Sequence, residues 1–313
     1  MASSEQSTSG PAWPEHLSPG RTVEVAPGVN RIIAPNPGLM TGPGTNTYLL
    51  GAERVALIDP GPDDNDHLHA LLEAGGDRIR WILVTHTHID HSPLASKLKE
   101  ETGAEVVAFG PAPVLRAGET HGLDAHDLAF VPDRRMRDGN SLDTGELRVD
   151  AVYTPGHASN HLCFALAGTG LLFTGDHVMS GSTVVIAPPD GDMSDYLESL
   201  EKVRRLAPRR IAPGHGDTIE DAGAVLDQYL RHRLVREAQV LAGLGDGAGE
   251  AMGVSVSELV ERIYVDVPAA LHPVARYSVW AHLRKLLSDG RARSDEPSDI
   301  DSIWYPAGHP ELM

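Results

Sequence analysis

Residues 82–92 read ILVTHTHIDHS, an apolar run that ends in His86, His88, Asp90 and His91. Imidazole nitrogens and carboxylate oxygens suit Zn²⁺, iron or manganese, and a chain leaving a buried strand for a helix can aim alternate side chains at one point. Such a cluster needs further ligands from elsewhere. The sequence offers His157 in YTPGHASNH, Asp176 in LLFTGDH and His215 in IAPGHGD. Each follows an apolar stretch and stands directly after a glycine, which lets the backbone approach a crowded centre. A single histidine at a strand end is usually a core or surface residue. Four segments ending the same way point to one metal centre.

The flanking segments must position those ends. TVEVAPGVNRIIA alternates about Pro27-Gly28 as a hairpin, and TNTYLLG and RVALIDPG read as short strands. The spacing predicts a helix over 64–74 with Leu68, Leu71 and Leu72 on one face. RWILVTH is a buried strand. Ser92 as cap and Pro93 in the first turn then start a helix that runs to about Glu101, before Gly103. EVVAF is another strand, and 110–137 reads as irregular or short helical structure. LRVDAVYT, HLCFALA and LLFTGD form a second strand set, followed by a helix over 193–206, the short strand RRIAPGH and a helix over 219–243. Two strand-rich halves, each followed by helices, predict two sheets with helices outside. Composition changes at GLGDGAGEAMG, 243–253. Beyond it lie helices over 255–264 and 273–289 and two short strands, RARSD and SIWYP, which suggest a small winged-helix-like module. The expected division is a flexible lead-in over 1–20, a catalytic domain over 21–245 and a winged-helix-like domain over 252–313.

Charge narrows the partners. The 313 residues carry 26 basic and 44 acidic side chains, a net of −18, which argues against a general binder of nucleic acid or anionic membranes. Residues 252–313 hold six Lys/Arg and nine Asp/Glu, a net of −3. Arg276, Arg284, Lys285, Arg291 and Arg293 there form either a basic stripe or an ordinary solvated face. Cys163 is the one cysteine, so no intrachain disulfide can form, which fits a reducing compartment. The first twenty residues lack the apolar core of a signal peptide, and no apolar run reaches membrane-spanning length. A soluble, cytoplasmic protein with no membrane partner is expected.

Taken as a set, these motifs resemble the metallo-β-lactamase superfamily over roughly residues 21–240. The resemblance implies an α/β fold, a four-layer αββα sandwich with a dinuclear metal site on one edge. It implies that His86, His88 and His157 hold one metal, that Asp90, His91 and His215 hold the other, and that Asp176 bridges both. Asp59 in LIDPG matches the position that orients a ligand loop from behind. GPGTNTYLLG, THTHIDHS, YTPGHASNH and LLFTGDHV are similar to the glyoxalase II-like and beta-lactamase-like protein 2 branch, which carries a C-terminal winged-helix domain. True metallo-β-lactamases lack a bridging carboxylate where Asp176 stands, and they are exported. HSPL, after the cluster, departs from the glycine of many relatives, and this is expected to alter the start of the following helix rather than the ligands.

The implied activity is hydrolysis by a hydroxide shared between two divalent cations, Zn²⁺ before iron or manganese. Asp90 is the expected catalytic residue, orienting that hydroxide. His161 and His177 are candidates to support the ligands or to protonate a leaving group, and Asn46 and Thr47 to stand near the site mouth. Trp280, Tyr277 and His272 would touch a substrate or fill the small domain's core. The expected partner is a small acyl substrate, a thioester first. The alternatives are an endoribonuclease acting on single-stranded RNA, and a winged-helix nucleic-acid-binding protein with a vestigial metal site. A homodimer is compatible with the sequence.

Overall fold

The computed structural model describes residues 13–111, 125–245, 253–265 and 267–307. The first sheet has seven strands in chain order: β1 (Val23–Ala26), β2 (Val29–Ile33), β3 (Asn46–Leu50), β4 (Val55–Ile58), β5 (Ile79–Val84), β6 (Glu105–Ala108) and β7 (Arg134–Arg135). β1 to β4 pair antiparallel, and β4 to β7 pair parallel. The crossovers from β4 to β5 and from β5 to β6 run through α1 (Asn65–Ala74) and α2 (Leu94–Thr102). The second sheet contains β8 (Ser141–Asp143), β9 (Arg148–Tyr153), β10 (Leu162–Leu166), β11 (Leu171–Gly175) and β12 (Arg210–Pro213), in the order β12-β11-β10-β9-β8. Its one parallel pair, β11 with β12, is joined across α3 (Met193–Leu206), and α4 (Ala222–Gly243) follows.

Three apolar layers hold the stack. Tyr48, Ile58 and Leu83 of the first sheet meet Val149, Phe164 and Phe173 of the second. Leu71 of α1 and Leu94 and Leu98 of α2 cover the first sheet's outer face. Tyr196 and Leu200 of α3 and Leu226 and Tyr229 of α4 cover the second's. This is the expected αββα sandwich. β3, β4 and β11 are buried at every residue because both their faces are covered, and β4 and most of β11 therefore read as apolar runs without alternation. β4, β5, β9, β11 and β12 all end toward one edge, and every metal-ligand candidate lies just beyond one of those ends.

Several expectations change on contact with the structure. Ser92 does not cap α2, which begins at Leu94 without a side-chain cap. Its hydroxyl turns instead to the His88 carbonyl and to Asp127, both at 3.4 Å. Residues 13–20, expected in a loose lead-in, dock on the body: Leu17 is buried, and the His16 carbonyl accepts from Arg31 Nη2 at 2.9 Å. Residues 1–12 lie outside the described residues, as do 112–124 of the irregular segment and 246–252 of the composition break. β7 and β8 were not anticipated, being too short to show a period.

The C-terminal part contains β13 (Val254–Ser255), α5 (Val256–Ile263), α6 (His272–Ser288), β14 (Ala292–Ser294) and β15 (Ile303–Pro306). Its sheet has three strands in the order β13-β15-β14, one more than the sequence suggested. A reciprocal Ser255–Glu258 capping box starts α5. Val256, Leu259, Val279, Leu283 and the indoles of Trp280 and Trp304 form the core, together with Val240 from the end of α4. Trp280 is thus core, while Tyr277 and His272 are half-buried. Among the described residues, no helix is long and apolar enough to cross a membrane.

Trp304 Nε1 is buried with no hydrogen-bond partner among the described residues, so the indole contributes packing alone. Trp304→Ala is expected to destabilise the chain by about 3–5 kcal/mol in denaturant titrations, and Trp304→Phe by clearly less. Equal losses would contradict this reading.

Candidate metal centre

His86 and His88 leave the end of β5, His157 follows β9, Asp176 follows β11 and His215 follows β12. The structure brings all of them together with Asp90 and His91. His88 Nδ1 lies 2.9 Å from His86 Nε2 and 3.0 Å from His157 Nε2. Nearby, His91 Nε2 lies 3.3 Å from His215 Nε2, with Asp90 Oδ2 at 3.5 and 3.2 Å from the two nitrogens. Asp176 stands between the groups. Its Oδ1 is 3.4 Å from both His91 Nε2 and His215 Nε2, and its Oδ2 is 3.7 Å from His157 Nε2.

The donor set fits two small divalent cations. Two nitrogens bound to one tetrahedral Zn²⁺ at its usual bond length are about 3.3 Å apart, close to the spacings here. His88 Nδ1 stands within about 3 Å of two further imidazole nitrogens, a convergence of lone pairs that a cation satisfies. Asp176 Oδ1 is buried and has no hydrogen-bond donor among the described residues. The outward nitrogens are already engaged. His91 Nδ1 donates to Asp59 Oδ2 (3.0 Å), His157 Nδ1 to the Val185 carbonyl (2.8 Å) and His215 Nδ1 to the Gly44 carbonyl (3.2 Å). His86 Nδ1 faces Thr85 Oγ1 at 3.0 Å. With those nitrogens protonated, Nε2 is the atom each ring turns inward, and it offers a lone pair to a cation once any second proton has left.

The glycines before the ligands are explained by crowding. A Cβ on Gly214 would stand 2.6 Å from Asp176 Oδ1 and 2.8 Å from His91 Cε1. One on Gly175 would stand 2.6 Å from Thr85 Oγ1. Gly156 is crowded too, but against the backbone of Tyr196 in α3 rather than the centre.

Electrostatics divides the cluster. Burial disfavours charge on every group here. Burial first, then the neighbouring imidazoles, push His86 and His157 down, His157 to about 4. Burial acts the same way on His215, but Asp176 and Asp90 outweigh it and push the group up to about 10. His91 is likewise raised against burial by Asp90 and Asp176. Burial would raise the two carboxylates. His91 and His215 hold Asp90 below the usual range against it, and His215 and His91 do the same for Asp176. The half of the site around Asp90 therefore calls for positive charge.

Other candidates fall behind this layer. Asp59 Oδ1 accepts from Thr85 N (2.7 Å), and its Oδ2 from Thr85 Oγ1 (2.8 Å) as well as His91. His161 and His177 are fully buried, His161 Nδ1 against Thr154 Oγ1 (2.9 Å) and the His177 ring against Tyr196. Both are sealed from the hollow above the donors. Asn46 is not at the mouth. It is fully buried, and its Nδ2 donates to the carbonyls of Pro213 and Gly216 (both 2.9 Å), bracing the loop of His215. Thr47 is buried as well, donating to the Asp59 carbonyl at 2.6 Å. The hollow itself has a volume of 260 Å³, with Met40, Thr41, Ile89, Met179, Val184 and Val185 around the donors. Sequence reasoning missed His126 and Asp190. His126 Nδ1 meets Thr87 Oγ1 at 2.9 Å, its Nε2 meets Asp190 Oδ2 at 3.2 Å, and its ring lies 4.6 Å from that of His88. Neither sits in a periodic segment, so no local signal marks them.

Residues 40–215 match the family described as the metallo-beta-lactamase superfamily, and residues 255–304 the beta-lactamase associated winged helix domain. The chain belongs to the metallo-beta-lactamase superfamily and is an enzyme of its class, a metal-dependent hydrolase. Within it, the chain is similar to a beta-lactamase-like protein 2 homolog of Drosophila melanogaster, 35% identical over 289 residues, 88% of this chain and 94% of that one. It is also 35% identical over 260 residues to the atrochrysone carboxyl ACP thioesterase of Aspergillus fumigatus, 78% of this chain and 76% of that one. The fold matches a metallo-beta-lactamase family protein from Thermus thermophilus (TM-score 0.73, 22% identity, 90% of this chain and 100% of that one). It also matches a beta-lactamase domain protein from Burkholderia ambifaria (TM-score 0.75, 23% identity, 95% and 96%).

Asp59→Asn keeps the shape but brings an amide N–H against the donors of Thr85 or His91. Metal affinity is expected to fall about 10–100-fold. Metal retained per chain against a graded chelator checks this, and unchanged retention would refute it. A cation entering beside His215 at neutral pH displaces a proton, because that group stands at about 10. Affinity there should drop roughly tenfold per pH unit below that value, whereas His157, at about 4, stays neutral to much lower pH. Dialysis at pH 8 and then at about 5.5 should therefore reduce metal content from about two equivalents to about one. Simultaneous loss of both would show that the two halves do not differ.

Proposed function

We propose that this chain is a two-metal hydrolase of small acyl substrates, thioesters first. In this reading His86, His88 and His157 hold one cation, Asp90, His91 and His215 hold the other, and both share Asp176. The observation that carries it is the placement of Asp176, which turns one oxygen to His91 and His215 and the other to His157. When bound, two divalent cations, Zn²⁺ before iron or manganese, supply Lewis acidity and bring the pKa of water toward neutrality. The chain's own residues supply orientation. Asp90, with a quarter of its side chain exposed, faces the hollow and aligns the attacking water. Met40, Ile89, Val184 and Val185 exclude other water and receive the acyl group.

The leaving atom decides among substrates. A thiol with a pKa of about 8.5 departs as thiolate without help, whereas an alkoxide or amine needs a proton donor. The sealed positions of His161 and His177 therefore favour a thioester. The thioesterase among the relatives supports the same class. Against RNA stands the state of the basic residues on the small domain. Arg276 pairs with Asp301, and Lys285 with Glu237 at 3.1 Å and Asp289 at 2.6 Å. Arg291 reaches Glu237 at 3.4 Å, and the guanidinium of Arg293 lies over Tyr305. We assign catalysis to residues 21–245, with 252–313 as the accessory domain, and place the enzyme in the cytoplasm, where the buried Cys163 stays a thiol.

The test is a thioester panel and a single-stranded RNA assayed side by side, with Asp90→Ala as control. Thioester cleavage that falls about a hundredfold or more in the variant, with RNA left intact, is expected. RNA cleavage lost in the same variant would overturn the assignment.

A further inference from the structure

Next to the hollow lies a second, larger chamber of 440 Å³. Both volumes are lined by Met40, Met179, Val184 and Val185, so they meet at those four side chains. The chamber's far wall comes from the winged-helix domain: Tyr264, Val267, Leu271, Val274, Ala275 and Ser278. Its volume falls in the range of small-molecule sites, roughly 300–1,000 Å³. The space is a cleft whose walls expose mostly apolar surface, the character of a small-molecule site between two packed units.

We infer that this chamber is the binding site for an extended apolar acyl chain whose carbonyl lies over the metal centre. The inference rests on the hydrolytic reading above. The chemistry of the walls selects the occupant. The two arginines at the border are already engaged. Arg233 lies 5.1 Å from the Tyr196 ring and donates to the Val184 carbonyl. Arg236 lies 4.3 Å from the Tyr264 ring and donates to the Ile263 carbonyl at 3.1 Å. What remains toward the space is mostly hydrocarbon, which suits a hydrocarbon chain. At the rim, Leu39 is 71% and Met40 39% exposed, an apolar path to solvent that costs free energy unless a ligand covers it. The reaction consumes water. Water's oxygen bonds the acyl carbon, the C–S bond breaks, and a carboxylate, a thiol and one proton are released.

Chain length is the readout. The full-length, metal-loaded enzyme is given N-acetylcysteamine thioesters from acetyl to dodecanoyl. kcat/KM should rise by about threefold to fourfold per methylene until the chamber is full, the factor for burying one CH₂. Val274→Trp, which fills the far wall, should cut the dodecanoyl-to-acetyl ratio of kcat/KM at least tenfold. Leu271→Ala should move the optimum to longer chains. Melting curves and metal content show whether each variant is folded. If Val274→Trp is not, Leu271→Ala decides, and an unmoved optimum overturns the inference. Cleavage of short thioesters with a flat length profile, or an unchanged ratio in folded Val274→Trp, overturns the chamber and leaves the hydrolytic reading standing. No cleavage of any thioester by loaded enzyme sinks both.

Discussion

Asp59 ties the two halves of the donor set to one carboxylate. Its Oδ2 receives the His91 imidazole directly, and also the Thr85 hydroxyl, which in turn faces Nδ1 of His86. His86 belongs to one cluster and His91 to the other, so one buried anion fixes a tautomer and a ring orientation in each. Charge-assisted hydrogen bonds of this kind are about twice as strong as neutral ones, and they lose little to water because Asp59 is sealed. The chain accepts strain to place the group there. Asp59 has a φ of 52°, a left-handed conformation rare outside glycine. The strained turn at the end of β4 is what points the carboxylate across to β5.

From that constraint the rest of the edge follows. Five imidazoles and two carboxylates packed in a buried space repel and attract one another strongly, and burial alone would neutralise most of them. The separation into depressed imidazoles around His86 and raised imidazoles around Asp90 shows where charge is lacking. Ligand loops from both sheets must then meet without their main chains colliding. Glycine at 175 and 214 permits this where a methyl group would strike Thr85 or Asp176. Asn46 and Arg31 finish the work on the His215 loop, holding Gly216 and Asp217 from the first sheet.

The sequence was informative where a local signal and a long-range demand coincide. The candidate ligands lie at ends of strands whose apolar runs are visible, and each brings a residue type that chemistry restricts. β7, β8 and β13 were not legible, because two or three residues carry no period and pairing partners supply their order. His126 and Asp190 were not legible either, for they matter only through the fold that brings them to Thr87. Asn46, in GTNTYLL, was expected near the site mouth, yet its amide faces inward to carbonyls 167 and 170 residues away. Ser92 shows the reverse error. A cap residue stood in the right place, but the His88 carbonyl and Asp127 took its hydroxyl.

The small domain is best understood from its charges. Lys285 and Arg291, which a linear reading lines up as a stripe for phosphates, converge on Glu237 of α4. Glu237 is buried, so removing both partners would leave an uncompensated charge at a cost of about 3–5 kcal/mol, whereas removing the half-exposed Arg291 alone costs much less. α4 itself packs against the second sheet with Leu226 and Tyr229 and enters the small domain's core with Val240. One helix thus belongs to both units, and two cations lock α6 and the wing onto it. Two basic side chains of the small domain therefore serve its attachment to α4, where they offset the charge that Glu237 carries into the seam.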